Sequence, residues 1–413
     1  MRQHVRSRRD HGRSAGYAAP RRCARLLLSS SGRDDRRSVP IPARASFTTM
    51  SIRSSLASSL AVVLAAGAAL ACSADSRTAG AATGDVAAAP EPTTPADSAA
   101  AADSAGASMV AASGSPSDQP PNELGKIPVF EYHLIGDKNA TYERTKAGMR
   151  RDLEYLYEKG FRPVSISDVL DRKLDLPRGY SPAVFVFDDA SPSQFRYIER
   201  NGKLEIDPGS AVGIWLDFAK SKPDWKNKAV FCMLPAAQAG RSFFGDKGIE
   251  GQKSEWRFQK VHFLHEQGFE LCNHTLYHAR LDRAGDRVEE FIARGNMAID
   301  SAVPGYKVRT FALPLGMWPK NRALAQKGSW KDPKSGKVVS YTNEAILEVA
   351  GGPTESPHDP KFNPLSIKRV EVIGDSAVTR TVRQLDRAGK RYVSDGDPRT
   401  VAKPVSTPVA AGQ

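Results

Sequence analysis

The chain has 413 residues and a formal net charge of +13, and 40% of its residues are hydrophobic. This is enough apolar material for a globular domain, although it is unevenly distributed. From residue 126 to the end, 45 Lys and Arg stand against 36 Asp and Glu, without a basic run interleaved with aromatic residues. The sequence therefore does not indicate a nucleic-acid module, and we expect no nucleic acid among the partners.

Residues 1–49 form a basic segment with twelve Arg, three Asp and neither Lys nor Glu. Apolar residues show little periodicity there, so we expect no folded core. The simplest interpretation is that Met50 is the true start and that residues 1–49 are a non-native extension. A basic, disordered arm that binds nucleic acid or a membrane is the alternative.

Residues 50–72 have the pattern of a secretory signal peptide. Arg53 precedes an apolar stretch over residues 56–70, and small residues precede Cys72. The apolar stretch is too short to span a membrane comfortably. The Ala-Cys pair at residues 71–72 resembles the lipobox of bacterial lipoproteins, whose cysteine is lipidated and becomes the mature N-terminus. We therefore expect an exported protein held at the cell envelope by a lipid anchor on Cys72, facing the periplasm or the cell surface.

Residues 73–125 are rich in Ala, Ser, Thr, Pro, Asp and Gly and contain no aromatic residue. Such a segment cannot bury enough apolar area to offset its ordering entropy, so we predict a disordered tether. We assign residues 126–375 to one globular domain and residues 376–413 to a C-terminal helix followed by a disordered tail.

Strand and helix patterns alternate through the globular domain. The strands are predicted at residues 127–133, 161–165, 183–187, 229–234, 269–272 and 308–313, and the helices at residues 142–158, 167–170, 211–219, 256–266 and 286–303. This alternation predicts an α/β fold with a parallel sheet or barrel. Cys232 and Cys272 fall within two predicted strands, and we expect them to be two buried thiols rather than a disulfide.

Five polar or special residues stand at the ends of four predicted strands: His133, Asp188, Asp189, His274 and Pro314. Ligands of parallel α/β folds bind at this edge. His274 and His278 are four residues apart and could hold one ion from one side if the turn between them is helical. One carboxylate and two imidazoles would make an open metal site, and a second adjacent carboxylate would be available as a base.

Residues 126–372 resemble the polysaccharide deacetylases of carbohydrate esterase family 4. Segment 186–190, Val-Phe-Asp-Asp-Ala, matches the motif Thr-Phe-Asp-Asp-Gly, and segment 274–278, His-Thr-Leu-Tyr-His, matches the histidine motif. Segment 311–316, Phe-Ala-Leu-Pro-Leu-Gly, and the Tyr-His pair at residues 132–133 are similar to the branch that includes poly-N-acetylglucosamine deacetylases. The resemblance implies a distorted (β/α) barrel of the polysaccharide deacetylase type.

The resemblance also implies the roles of the site residues. Asp189, His274 and His278 would bind a divalent metal, usually zinc, with cobalt or nickel as other possibilities. Asp188 would be the general base and His133 the general acid, and this set of groups suits metal-assisted hydrolysis. The implied reaction removes N-acetyl groups from a polysaccharide substrate and releases acetate.

Segment 311–316 carries the remaining implied roles and two departures from the family. A backbone N–H near Leu315, after Pro314, would help to stabilise the oxyanion. Ala312 stands where many members have an Arg that pairs with the base, and Leu315 replaces an aromatic residue that would contact the sugar. A third departure is Ala190, which replaces the usual Gly after the aspartate pair.

Several alternatives stay open from the sequence. His358, which lies in a Pro-rich loop, rivals His133 as the general acid. Residues 191–197 either line the substrate groove or form a capped turn. The alternative functions are O-acetyl ester hydrolysis and a non-catalytic, polysaccharide-binding envelope lipoprotein. The identity of the polymer and the oligomeric state are also left open.

Overall fold

The computed structural model describes residues 116–236, 243–245 and 249–404. The predicted basic extension, the signal peptide and the lipidation site at Cys72 all lie outside these residues. In this part of the chain no helix combines the length and the apolar composition needed to cross a membrane.

Seven parallel strands form a closed barrel in which each strand pairs with the next along the chain and the last pairs with the first. The strands are β1 (Val129–Tyr132), β2 (Ser181–Phe187), β3 (Val230–Met233), β4 (Glu270–Asn273), β5 (Thr310–Ala312), β6 (Ala345–Gly351) and β7 (Ile367–Glu371). All residues of β1 to β5 are buried. Continuous burial is typical of parallel strands that are covered on both faces. The predicted barrel is therefore confirmed.

Helices lie between most pairs of consecutive strands. They are α1 (Lys146–Glu158), α2 (Ile166–Leu170), α3 (Ala211–Ser221), α4 (Arg257–Glu266), α5 (Val288–Ala302), α6 (Ala323–Gln326) and α7 (Ala377–Arg387). Side-chain caps begin three of them, because Thr145, Ser165 and Ser210 each accept a hydrogen bond from a first-turn N–H. The predicted helices from residue 211 onward agree with the structure to within about two residues at each end.

Short strands extend the barrel at its rims. Phe161–Pro163 pairs with β2, and the other pairs are Lys126–Ile127 with Thr354–Glu355, Leu134–Gly136 with Glu143–Thr145, Tyr197–Arg200 with Lys203–Ile206, and Lys327–Lys331 with Val338–Thr342. Neither β6 nor the hairpin at residues 327–342 is predicted from the sequence. The apolar run of β6 is too short for its period to separate a strand from a buried helix.

The ordered domain extends beyond the predicted boundaries. Asn122 and Glu123, which the sequence assigned to the tether, are buried. Asn122 bridges to Val393, and the Glu123 carboxylate accepts hydrogen bonds from Tyr392 Oη and from the N–H of Ala402. Residues on both sides of the barrel domain therefore pack against each other, because each segment supplies the polar partners of the other.

Cys232 and Cys272 form a disulfide, so the prediction of two separate thiols is wrong. The two cysteines are direct partners in the register of β3 and β4, and their Cα atoms are 4.2 Å apart. Burial was predicted correctly for both residues. The pairing depends on strand register, which the local pattern of either strand does not reveal.

Candidate active site

A cavity of about 440 Å³ opens beside the residues that follow β1, β2, β4 and β5. Its lining includes all five of the predicted catalytic and metal-binding residues: His133, Asp188, Asp189, His274 and His278. Leu315 also lines the cavity, whereas Pro314 lies directly before it in the chain. The volume lies within the range of small-molecule sites. The barrel thus brings together the five predicted catalytic and metal-binding residues, which are up to 145 positions apart in the sequence.

Asp189, His274 and His278, which we call the Asp–His triad, have the spacing of ligands around one ion. Nε2 of His274 and Nε2 of His278 each lie 3.6 Å from Oδ1 of Asp189. Ligand atoms about 2.1 Å from one tetrahedral zinc ion are separated by about 3.4 Å, so the three side chains fit such an ion. The His274 Nδ1–H donates to the Ala312 carbonyl at 2.9 Å, which leaves Nε2 as the ligand atom.

Mutual attraction inside the triad offsets the cost of burial. Burial alone would raise the pKa of Asp189, but its hydrogen bond to His274 and the charges of the two histidines hold that pKa well below its usual range. Burial would lower the pKa of His274, yet the carboxylates of Asp188 and Asp189 raise it above its usual value. A carboxylate that stays ionised at neutral pH is the form that binds a cation.

The backbone of the site is left-handed at five non-glycine residues. Their φ values are 80° at Asp189, 45° at Ala190, 64° at Thr275, 56° at His278 and 57° at Leu315. Such conformations cost roughly 1–2 kcal/mol each and concentrate at functional sites. Glycine adopts the backbone conformation of Ala190 more easily than alanine does. This explains why the family motif has glycine at this position.

The two histidines meet through a tight turn rather than through a helix. Both Thr275 and His278 have positive φ, so the condition of a helical turn is not met, but the imidazole centroids are 4.9 Å apart. Asn273 anchors this turn, because its Oδ1 accepts from the Thr275 N–H at 2.8 Å and its Nδ2 donates to the Ile292 carbonyl at 2.8 Å. The turn is therefore fixed to α5.

A second group, which we call the arginine cluster, consists of Glu131, His133, Asp188 and Arg369. Arg369 is fully buried, and its Nη1 donates to both carboxylate oxygens of Asp188 at 2.9 and 3.0 Å. Burial raises the pKa of Asp188, but the guanidinium of Arg369 and the charges of His274 and His133 together outweigh burial and keep that pKa below its usual value. Arg369 thus provides the partner for Asp188 that Ala312 cannot.

Residues 191–197 form a turn that ties the ends of β1 and β2 together. Nε2 of the buried Gln194 donates to the carbonyl of His133 at 2.6 Å and also to the carbonyl of Asp188. The capped-turn alternative therefore describes this segment better than the groove-lining one. In the sequence Gln194 is distinguished only as a member of segment 191–197. Its role could not be predicted because it depends on contacts with β1 and β2.

His133 and His358 are in different surroundings. The ring of His133 lies 5.0 Å from that of Tyr142 at the cavity, and burial lowers the pKa of His133. The ring of His358 instead lies 6.5 Å from that of Tyr392, and His358 does not line the cavity. Of the two candidates for the general acid, His133 alone is next to Asp188 and Glu131.

No protein-family model matches the sequence, and no curated protein matches it. Similar solved structures include a polysaccharide deacetylase from Bacillus cereus, with 17% identity, a TM-score of 0.44, and coverage of 63% of this chain and 69% of the other. The deacetylase PplD from Streptococcus pyogenes in complex with acetate has 14% identity, a TM-score of 0.44, and coverage of 63% and 97%.

IcaB from Ammonifex degensii is also similar, with 18% identity, a TM-score of 0.42, and coverage of 64% of this chain and 99% of that chain. The Bacillus cereus structure is that of a polysaccharide deacetylase, the family that the sequence motifs resemble. At such identities the likeness is one of fold.

Proposed function

We propose that this chain is a metal-dependent deacetylase that hydrolyses N-acetyl groups on a polysaccharide of the cell envelope or extracellular space. The observation that carries the proposal is the convergence of the Asp–His triad with a second, separately held carboxylate. Nε2 of His274 is 3.6 Å from Oδ1 of Asp189 and 3.9 Å from Oδ2 of Asp188. These distances support a division in which one aspartate binds an ion and the other accepts a proton beside it.

The predicted catalytic and metal-binding residues at the cavity have distinct parts in the proposed reaction. Asp189, His274 and His278 would hold a divalent ion, zinc first and cobalt or nickel next, which supplies the Lewis acidity that amide hydrolysis needs. Asp188 removes a proton from the attacking water, and the two hydrogen bonds from Arg369 fix the orientation of its carboxylate. The water oxygen bonds to the acetyl carbon, and negative charge develops on the acyl oxygen.

Collapse of that tetrahedral species breaks the carbon–nitrogen bond and releases acetate. His133 donates a proton to the departing amine nitrogen, which would otherwise be a poor leaving group. The N–H of Leu315 is our candidate donor to the oxyanion. Leu313, Leu315 and Val349 give the cavity an apolar side that suits the acetyl methyl group.

We also propose that the protein is exported and lipid-anchored through Cys72. The disulfide between Cys232 and Cys272 supports an oxidising compartment, because such bonds are rare in the cytosol. In this proposal the anchor is the lipid on Cys72, and the described domain itself binds no lipid. Incorporation of a labelled fatty acid into the native protein, and its loss in Cys72→Ala, would test the anchor, and an unchanged incorporation would contradict it.

The test of the activity is acetate release from peptidoglycan, chitin oligomers and poly-N-acetylglucosamine. We expect release that depends on zinc, cobalt or nickel, stops with chelator, and is lost in His278→Ala. A matched control is His262→Ala, which removes a half-exposed histidine of α4 and should keep full activity. Release from O-acetylated xylan alone would favour an esterase. Polymer binding without acetate release would favour the non-catalytic alternative.

A further inference from the structure

Glu131 is a buried carboxyl group at the cavity to which the proposed reaction assigns no part. Its side chain is 1% exposed, and it lies at the end of β1, two residues before His133. Neither of its carboxyl oxygens has a hydrogen-bond partner within the described residues. A buried polar group without a hydrogen bond costs roughly 1–3 kcal/mol, so its presence beside a cavity calls for an explanation.

One oxygen of Glu131 lies between two nitrogen-bearing side chains. Oε1 is 3.6 Å from Nε2 of His133 and 3.0 Å from Nη2 of Arg369. The contact with Nη2 lacks the alignment of a hydrogen bond. A shift of a few tenths of an ångström would bring Oε1 into hydrogen-bond distance of the imidazole. Apo sites commonly have such loose contacts, which tighten when substrate binds.

We propose that Glu131 is a positioning residue for His133, whose buried carboxyl group holds the imidazole through Nε2 and resupplies its proton during deacetylation. This inference rests on the proposed function, because it assumes that His133 protonates the leaving amine.

The charges around Glu131 support a proton on its carboxyl group. Arg369 and Glu371 face it from β7, Asp188 faces it from the end of β2, and His133 lies on its own segment. One guanidinium therefore serves two carboxyl groups, and Asp188 takes both hydrogen bonds from Nη1. Burial raises the pKa of Glu131 to about 9, and the negative charges of Asp188 and Glu371 act in the same direction, against the opposite pull of Arg369. Glu131 would then be neutral at pH 7.

A neutral Glu131 can donate its O–H to Nε2 of a neutral His133. As His133 gives the proton of its other ring nitrogen to the amine, the O–H bond of Glu131 breaks and a new N–H bond forms at Nε2. The amine gains one proton and Glu131 loses one, so the step balances. The new carboxylate is left 3.0 Å from Arg369 Nη2. Between turnovers it takes the proton back from Nε2 of His133, and the other ring nitrogen regains a proton from water.

This arrangement predicts a specific pH dependence. In the wild type, activity should fall as the pH rises through about 9, because Glu131 then loses the proton that it supplies. In Glu131→Gln the amide has no acidic proton, and the only donor left is the imidazolium of His133. Burial lowers the pKa of His133 below its ordinary value of 6.5, so the alkaline fall in activity should move to that lower pH.

The experiment is the pH profile of kcat/KM for acetate release by the zinc-loaded full chain, as wild type and as Glu131→Gln. We expect the alkaline limb to move down by about two pH units or more, with a loss of at least about 100-fold near pH 8.5. Glu355→Gln is the matched control, since it removes a carboxylate that pairs with Lys126 and does not line the cavity, and it should leave the limb in place. Zinc content should be the same in all three proteins.

A uniform loss of activity with an unmoved limb would overturn the inference and would leave Glu131 a structural residue only. If Glu131→Gln does not fold, infrared spectroscopy of the wild type replaces it. A protonated-carboxyl band that is present at about pH 7 and lost above about pH 9 is expected, and its absence at about pH 7 would overturn the inference. A wild type that shows this band but releases no acetate from any polymer would overturn the proposed function. The proposed proton transfer from Glu131 to His133 during deacetylation would then be overturned as well. An active wild type with an unmoved limb in Glu131→Gln would overturn the inference alone.

Discussion

The Asp–His triad and the arginine cluster contain the same types of ligating side chain, but they are suited to different chemistry. Each places three ligating atoms from carboxylates and histidines within 4.8 Å of one another. In the arginine cluster the buried guanidinium of Arg369 already neutralises the carboxylate of Asp188 at 2.9 Å and contacts the carboxyl group of Glu131 at 3.0 Å. In the triad the carboxylate of Asp189 instead pairs with the imidazoles of His274 and His278, at 3.6 Å each. In our proposal, the position of one arginine therefore separates the metal site from the acid–base site.

Removing that arginine should have the largest effect on stability. Arg369→Met leaves two buried carboxyl groups without their cation, and we expect the free energy of unfolding to fall by about 3–5 kcal/mol. Urea denaturation measures this. The matched control is Arg309→Met, because Arg309 also serves two carboxylates, Asp171 and Glu344, but near the surface, where we expect about 1 kcal/mol or less. Equal losses of stability in both variants would contradict the larger contribution that we assign to the buried Arg369.

A smaller loss of stability, together with weaker zinc binding, is expected from a change that disturbs the Asp–His triad alone. A Cβ at Gly295 of α5 would lie 2.3 Å from Oδ1 of Asn273, the atom that holds the histidine turn. We expect Gly295→Ala to cost about 1–3 kcal/mol of stability and to weaken zinc binding, because Asn273 must move. Zinc titration followed by thermal unfolding measures both.

The control for this change is Ser301→Ala, on an exposed position of the same helix. It should change neither property measurably. Unaltered zinc affinity in Gly295→Ala would mean that Asn273 does not position His274 and His278.

The smallest effect on stability is expected from the backbone at Ala190, which lies next to both the Asp–His triad and the arginine cluster. Ala190 has a φ of 45°, and its replacement by glycine removes strain while adding entropy to the unfolded chain. The two terms nearly cancel, so we expect Ala190→Gly to stabilise the protein by about 0.5 kcal/mol. Ala183→Gly, within the buried strand β2, should instead destabilise it by roughly 1 kcal/mol. Similar losses in both variants would show that Ala190 is not strained.

The sequence predicts the barrel and the cavity residues well because both depend on local patterns. Apolar runs mark the strands, and polar residues directly after them mark the edge at which His133, Asp188 and His274 meet. The turn that joins the two histidines is different from the helical turn considered, but four residues of either turn bring the rings together.

The features that were missed depend on contacts between distant segments. Arg369 is 181 residues from Asp188, and nothing within the Lys-Arg-Val segment at residues 368–370 separates a buried arginine from an exposed one. Glu131 interrupts an apolar strand, and that interruption was the available signal for an inward-facing carboxyl group. The disulfide depended on the register of β3 against β4, which requires the assembled barrel.

The most direct test of the central claim is the zinc stoichiometry of Asp188→Asn beside that of Asp189→Asn. The two changes are chemically identical and adjacent, and both side chains are buried. We predict that Asp188→Asn binds about one zinc ion per chain with wild-type affinity, whereas Asp189→Asn loses more than about 100-fold in affinity. Both should lose acetate release. Equal zinc binding by the two variants, or loss of zinc in Asp188→Asn, would contradict the division between a metal ligand and a base.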